Sequence, residues 1–282
     1  MIKIYTPVSV NSLPVQFSLD DKITVLGSCF ADSMGARLAA AGFSVCVNPF
    51  GTLYNPVSVY NSAARLSGGV PFTEKDCVEM GAGAGLVCSF SHHTSFAKPT
   101  AEEFLRGANA SLAEASAFWK DSDKVIVTLG TAMVWKLAES GEVVSNCLKR
   151  PAAEFSHEML STEQVSAMLS LLVRANPGKE FLFTVSPIRH MSGGAQLNTL
   201  SKSTLHLALA RLDLPYFPAY EILLDELRDY RFYAEDLCHP SKLAEDIIWE
   251  RFLESAVPER ELPRIRLNEK ASRAAAHRPL HG

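Results

Sequence analysis

The sequence predicts an α/β protein built on a doubly wound parallel sheet. Three short apolar runs, at residues 23–26, 125–129 and 181–185, are rich in β-branched or aromatic residues and stop on Gly or Ser. Runs of that length, bounded that way, read as buried strands. Between them, apolar residues recur at helical spacing. Strands alternating with helices imply right-handed crossovers and helices on both faces of the sheet.

The first run ends at Gly27-Ser28-Cys29-Phe30-Ala31 and leads into an amphipathic helix with Met34, Leu38 and Ala41 inward. Residues 80–85 are glycine-rich and precede the run 86–90, which reads as a turn entering a strand. They lack the Lys-Ser/Thr ending of a P-loop, and no dinucleotide-binding spacing is present. Residues 102–119 read as a helix with Phe104, Leu105, Leu112 and Trp119 inward. After the second run, 135–147 carries Ser140-Gly141 between short extended stretches, a hairpin excursion from the sheet. Ser161 with Gln164 forms a capping box for a helix whose stripe is Val165, Met168, Leu169, Leu172 and Val173. A last helix follows Ser241, with Leu243, Ile247, Ile248 and Phe252 as its core face. From Pro258 the chain holds six Arg or Lys against three Glu and few large apolar residues. The expectation is therefore one domain over 1–257, followed by a basic C-terminal tail over 258–282 that is either a mobile end or a contact arm.

With 47 % apolar and 21 % charged residues, the chain can bury a sizeable core. A net charge of −4 argues against a nucleic-acid binder that relies on a basic field. The six cysteines are scattered with no Cys-x-x-Cys pair, so reduced thiols are expected. No signal peptide and no run of about 20 apolar residues is visible, which points to a soluble, cytoplasmic protein without a membrane span. No cofactor or metal is expected. His92 and His93 are adjacent and would face opposite ways on a strand, so they suit a shared metal poorly.

In doubly wound sheets ligands bind at the carboxyl ends of strands, so the residues just after each run carry the candidate chemistry. Ser28 follows the first strand directly. It is either a nucleophile with an exposed hydroxyl beside a helix N-terminus, or merely the cap of that helix. A serine nucleophile needs a base. Asp236-Leu-Cys-His239-Pro supplies one, with Asp236 orienting the His239 imidazole and stabilising its charged form. Arg189 and His190 follow the third run and reach the same crevice as candidate substrate-binding residues, as does one of His92 and His93. An ion pair with Asp225 or Glu226 is the bland alternative for Arg189.

These motifs resemble a known family. Gly-Ser-Cys-Phe-Ala at 27–31 is the pentapeptide that names the GSCFA family of bacterial proteins. The likeness continues through Asn-Pro-Phe-Gly-Thr-Leu-Tyr-Asn-Pro at 48–56, Ser-Phe-Ser-His-His-Thr-Ser-Phe at 89–96 and Thr-Leu-Gly-Thr-Ala at 128–132. It extends to Thr-Val-Ser-Pro-Ile-Arg-His at 184–190 and the stretch 216–241. That family is in turn similar to the SGNH or GDSL-like hydrolases. This likeness implies a three-layer α/β/α sandwich of flavodoxin-like strand order and an esterase that often removes acetyl groups from carbohydrates. By that likeness Ser28, Asp236 and His239 match the triad, and Gly51 matches a backbone oxyanion donor. The usual Gly-Asp-Ser start is replaced by Gly27-Ser28-Cys29. The asparagine of the Gly-x-Asn-Asp block is missing from Gly130-Thr131-Ala132-Met133, leaving Asn48, the Thr131 hydroxyl or one of His92 and His93 to substitute.

The expected function is a serine ester hydrolase working through an acyl-enzyme on a small-molecule or glycan ester. An O-acyltransferase with the same triad and a non-catalytic carbohydrate-binding or interaction domain are the alternatives.

Overall fold

A computed structural model describes residues 5–276. Its main sheet has four parallel strands: β1 (Lys22–Gly27), β2 (Ser44–Val47), β5 (Lys124–Leu129) and β9 (Glu180–Val185), in the order β2-β1-β5-β9. A parallel bridge from Phe183 to Tyr216 adds the rudiment of a fifth position beside β9. The order is the flavodoxin-like one, with its reversal of direction at β1 and β5. The three apolar runs are β1, β5 and β9.

Side chains alternate across this sheet and so build two cores. Val125, Val127, Phe181 and Phe183 face a layer of helices made by α2 (Pro56–Gly68), α3 (Ala101–Asp121), α4 (Thr162–Arg174) and α5 (Gly194–Arg211). Ile23, Val25, Ile126 and Leu182 face α1 (Cys29–Ala41) and α7 (Lys242–Ala256), with a short helix α6 (Ala219–Glu221) beside them. The result is the three-layer sandwich. α4 begins on the expected capping box, with Ser161 and Gln164 each accepting from the other's backbone N–H.

Two small sheets lie outside these layers. β3 (Val78–Glu79) and β4 (Val87–Cys88) pair across the glycine-rich turn. β6 (Met133–Leu137) pairs with β7 (Val143–Val144) as the expected hairpin and with β8 (Phe155–Met159) on its other edge.

The basic tail, expected as either a mobile end or a contact arm, is helical over most of its described length. Residues Leu262–Ala276 form α8, which packs on the α1 side with Ile265 fully buried. Asn268 donates to the Ala41 carbonyl and Trp249 donates to Glu269, so polar contacts fix the same face. Its basic residues lie on the outside, where Arg266 pairs with Glu250 and Glu269. The end of that tail, 277–282, lies outside the described residues.

Candidate active site

Gly27 closes β1 with φ +138°, and a Cβ there would sit 2.1 Å from the Thr128 carbonyl oxygen. Only glycine fits so strained a turn against a neighbouring strand. Its N–H donates to Asn48 Oδ1 at 2.8 Å. Asn48 in turn donates from Nδ2 to Asp32 at 2.7 Å. One asparagine thus ties the end of β1 to the first turn of α1.

Ser28 is the N-cap of α1 and is 0 % exposed. Its Oγ accepts from the Phe30 N–H at 3.3 Å and lies 3.1 Å from Thr128 Oγ1. The hydroxyl expected to be exposed is buried in this structure, and capping occupies one lone pair of its oxygen.

Cys29, the next residue, is the first of the helix proper and only part-buried. Its Sγ lies 3.4 Å from the Tyr54 hydroxyl. Thr52 donates to that hydroxyl at 3.3 Å, which leaves the Tyr54 proton for the sulfur. Burial, then the bond to Cys29, pushes the Tyr54 hydroxyl up to about 12, so it stays a donor at neutral pH. The Cys29 N–H has no acceptor among the described residues, as the first N–H groups of a helix have none within it.

The Asp236–His239 pair is formed. Asp236 Oδ2 lies 2.5 Å from His239 Nδ1, while its Oδ1 accepts from the N–H groups of Cys238 and His239, both at 2.9 Å. These bonds, the backbone ones first, hold the carboxyl down at about 2. His239 Nε2 makes no hydrogen bond among the described residues, and neither Ser28 nor Cys29 is joined to it. The loop that carries the pair is pinned to the end of β9. The Arg189 N–H donates to the Cys238 carbonyl at 3.0 Å, and its guanidinium donates to the Leu237 carbonyl at 3.1 Å. That guanidinium lies over the rings of Tyr233 and Tyr230 and makes no ion pair with Asp225 or Glu226; Glu226 is held by Arg251 at 2.6 Å.

His190 follows and reaches the β1–α1 turn. A Cβ built on Gly130 would lie 3.2 Å from His190 Nε2 and 3.4 Å from Ser28 Cβ. Burial, then the charges of Lys202 and His239, lower this imidazole to about 4. Lys202 escaped the sequence reading. It is fully buried on α5 and donates to the carbonyls of Gly130 and Ser186 at 2.6 and 2.8 Å, joining the ends of β5 and β9. Burial pushes its ammonium down to about 7. A lysine inside an otherwise amphipathic stretch gives no sequence signal of burial.

The other candidates part company. His92 is 0 % exposed and boxed by Phe50, Phe72, Phe96 and Phe104, with Nδ1 bonded to Ser89 at 2.7 Å. It belongs to the core and lines no cleft. His93 turns the other way, with its Cβ packed on Gly51 and its Nδ1 on Ser95. Gly51 has φ +87° and donates its N–H to the Asn48 carbonyl at 2.7 Å. Thr131 pairs with Ser201 at 2.8 Å and accepts from the Met133 N–H. All three groups nominated for the oxyanion (Gly51, Asn48, Thr131) thus already have partners.

Beside His190 lies a cavity of about 170 Å³ lined by Tyr54, Thr131, Trp135, His157 and Leu197. Trp135 is 40 % exposed and stacks on His157 at 4.0 Å, so the excursion sheet supplies an aromatic wall. A larger hollow of about 650 Å³ lies between α1, α7 and α8 around Arg37, with Pro240, the residue after His239, in its lining. Among the described residues no group of three or more His, Cys, Asp or Glu is placed to hold a metal, and no helix is long and apolar enough to cross a membrane.

Fold and site define a doubly wound α/β protein with an Asp–His pair and a strand-to-helix turn at the carboxyl edge of its sheet. The sequence matches the GSCFA family over residues 22–252, and the chain belongs to that family. Among solved structures, LAE5, an alpha/beta hydrolase enzyme from the metagenome of Lake Arreo, Spain, aligns over 85 % of this chain and 96 % of its own, at 13 % identity and a TM-score of 0.42. No curated protein matches.

Proposed function

We propose that the protein is an acyl-ester hydrolase whose nucleophile is Cys29 and whose base is His239, oriented by Asp236. The observation that carries the reading is the Asp236–His239 bond, whose carboxylate is fixed by two backbone N–H groups in a loop pinned to the segment after β9. Ser28, matched to the triad by likeness, acts in this proposal as the cap that sets the turn. Its complete burial and its bonds to Phe30 and Thr128 favour that role, while the next residue, Cys29, is only half-buried, which favours attack by sulfur.

In this mechanism substrate binding brings His239 Nε2 to the thiol and takes its proton. The sulfur then adds to the ester carbonyl. The tetrahedral adduct collapses, the C–O bond breaks, and the departing alkoxide receives the proton from the imidazolium. A water deprotonated by His239 next cleaves the thioester, releasing the carboxylic acid and restoring the thiol. The 170 Å³ cavity suits a short acyl group, since a hollow of about 150 Å³ holds a molecule as large as benzene. Exposed Trp135 offers a flat apolar face to a sugar-like alcohol, so an O-acetylated carbohydrate is the substrate class proposed.

Turnover of p-nitrophenyl acetate by four proteins tests this. Cys29→Ala and His239→Ala should each lose at least about 10³-fold in kcat/KM, the scale for removing a member of a nucleophile–base unit. Ser28→Ala should stay within about tenfold of the parent and lose about 1 kcal/mol of stability with the cap. Equal turnover in the parent and Cys29→Ala sinks the thiol. Equal turnover in His239→Ala sinks the hydrolase. Product analysis with an added alcohol separates transfer from hydrolysis.

A further inference from the structure

Attack on an ester leaves negative charge on the former carbonyl oxygen, and that oxygen needs donors aimed at it. The free N–H of Cys29 is one. A second must come from a group with a proton to spare. Gly51 gives its N–H to Asn48, Asn48 spans Gly27 and Asp32, and Thr131 is engaged with Ser201 and Met133.

His190 is different. Its Nε2 is buried and has no hydrogen-bond partner among the described residues. A native protein seldom leaves such an atom unsatisfied without a use for it. The rest of the residue is held firmly: the backbone N–H donates to Asn198 Oδ1 at 2.9 Å, and the ring meets the Tyr54 ring edge to face at 5.7 Å. The orphan atom lies over Gly130, whose missing side chain leaves open the space between the imidazole and the Ser28 end of the turn. Lys202, bonded to the Gly130 carbonyl, keeps that floor in place. Burial and the neighbouring charges hold the ring neutral at pH 7, and a neutral imidazole with its proton on Nε2 is a donor.

We infer that the His190 Nε2–H, together with the Cys29 N–H, receives the oxyanion formed when Cys29 adds to the ester. This rests on the acyl-transfer reading and names the donor that reading lacks. Among the described residues, His190 Nε2 is a buried atom without a partner that lies 3.2 Å from where a Cβ on Gly130 would stand.

The test compares the parent with His190→Ala, His190→Gln and Gly130→Ala in three measurements: turnover of p-nitrophenyl acetate, affinity for an aryl trifluoromethyl ketone, and alkylation of Cys29 by iodoacetamide. The ketone forms a tetrahedral oxyanion adduct; alkylation at a saturated carbon forms none. His190→Ala should lower kcat about 10²- to 10³-fold with KM within a few fold. It should weaken the ketone by a similar factor and leave the alkylation rate within about threefold. His190→Gln should recover at least about tenfold over alanine, because its carboxamide still donates. Gly130→Ala, which crowds Nε2, should lower kcat and ketone affinity together. Wild-type kcat in His190→Ala overturns the inference, as does alkylation that slows in step with turnover, which would mark His190 as a support of the turn. A parent that neither turns over ester nor binds the ketone refutes the acyl-transfer reading itself, and this inference with it. An active parent alongside an equally active His190→Ala refutes the inference alone.

Discussion

At the scale of single residues, the sequence makes some roles legible and hides others for a simple reason. Asp236 and His239 are close in the chain, and their bond closes within four residues, so the pattern alone identifies it. Ser28 and Cys29 are one residue apart, and which of them is buried depends on where β1 stops and α1 starts. No composition or spacing rule resolves a single-residue offset at a helix cap. His92 and His93 pose the same problem, and the fold sends one into an aromatic box and the other to the Gly51 loop.

Two of these residues have a measurable consequence. Burial first, then nearby positive charge, lowers His92 and His190 from 6.5 to about 4. The native state then refuses protons that the unfolded chain accepts between those values. Stability is unaffected by these groups above pH 6.5 and is lost as pH falls from about 6.5 to about 4. The loss is on the order of 3 kcal/mol for each group. Urea midpoints at pH 7, 5.5 and 4 should fall in that order, and His92→Phe should fall less steeply. An identical pH slope in the variant would remove His92 from the account.

At the scale of elements, the strongly periodic segments were readable and the weak ones were not. β5, β9 and α4 announce themselves through continuous apolar runs or a capping box. β2 is a four-residue edge strand, Ser-Val-Cys-Val, partly exposed along its length, and carries too little pattern to be seen. α2 does carry a start signal, Asn55 accepting from the Ser58 N–H with Pro56 at the first helical position, which the apolar pattern of the sequence does not bring out. The sharpest element-level demand is at the β1–α1 junction. Gly27→Ala would set a Cβ 2.1 Å from the Thr128 carbonyl at a φ that L-residues avoid. It should cost about 3 kcal/mol or more, read as a lowered urea midpoint. A stability equal to the parent's would mean that the turn is not built as described.

At the scale of the whole molecule, the doubly wound class was legible because alternating strands and helices leave few topologies, whereas the flavodoxin-like strand order came from the family resemblance. The docking of α8 was not. Its buried Ile265 stands among basic residues, exposed Leu267 and alanines, so no apolar stripe marks its face. What the fold contributes to function is convergence. The ends of β1, β5 and β9, with the loop before α7, bring residues 28–29, 130, 190 and 236–239 to one edge, although they are spread over more than 200 positions of the chain. The most direct test of that convergence is to trap the acyl-enzyme with p-nitrophenyl acetate, digest it, and locate the added acetyl group by tandem mass spectrometry. One acetyl is expected on Cys29, removed by neutral hydroxylamine as a thioester and absent from His239→Ala. An acetyl on Ser28 that resists hydroxylamine, or undiminished labelling in His239→Ala, would contradict it.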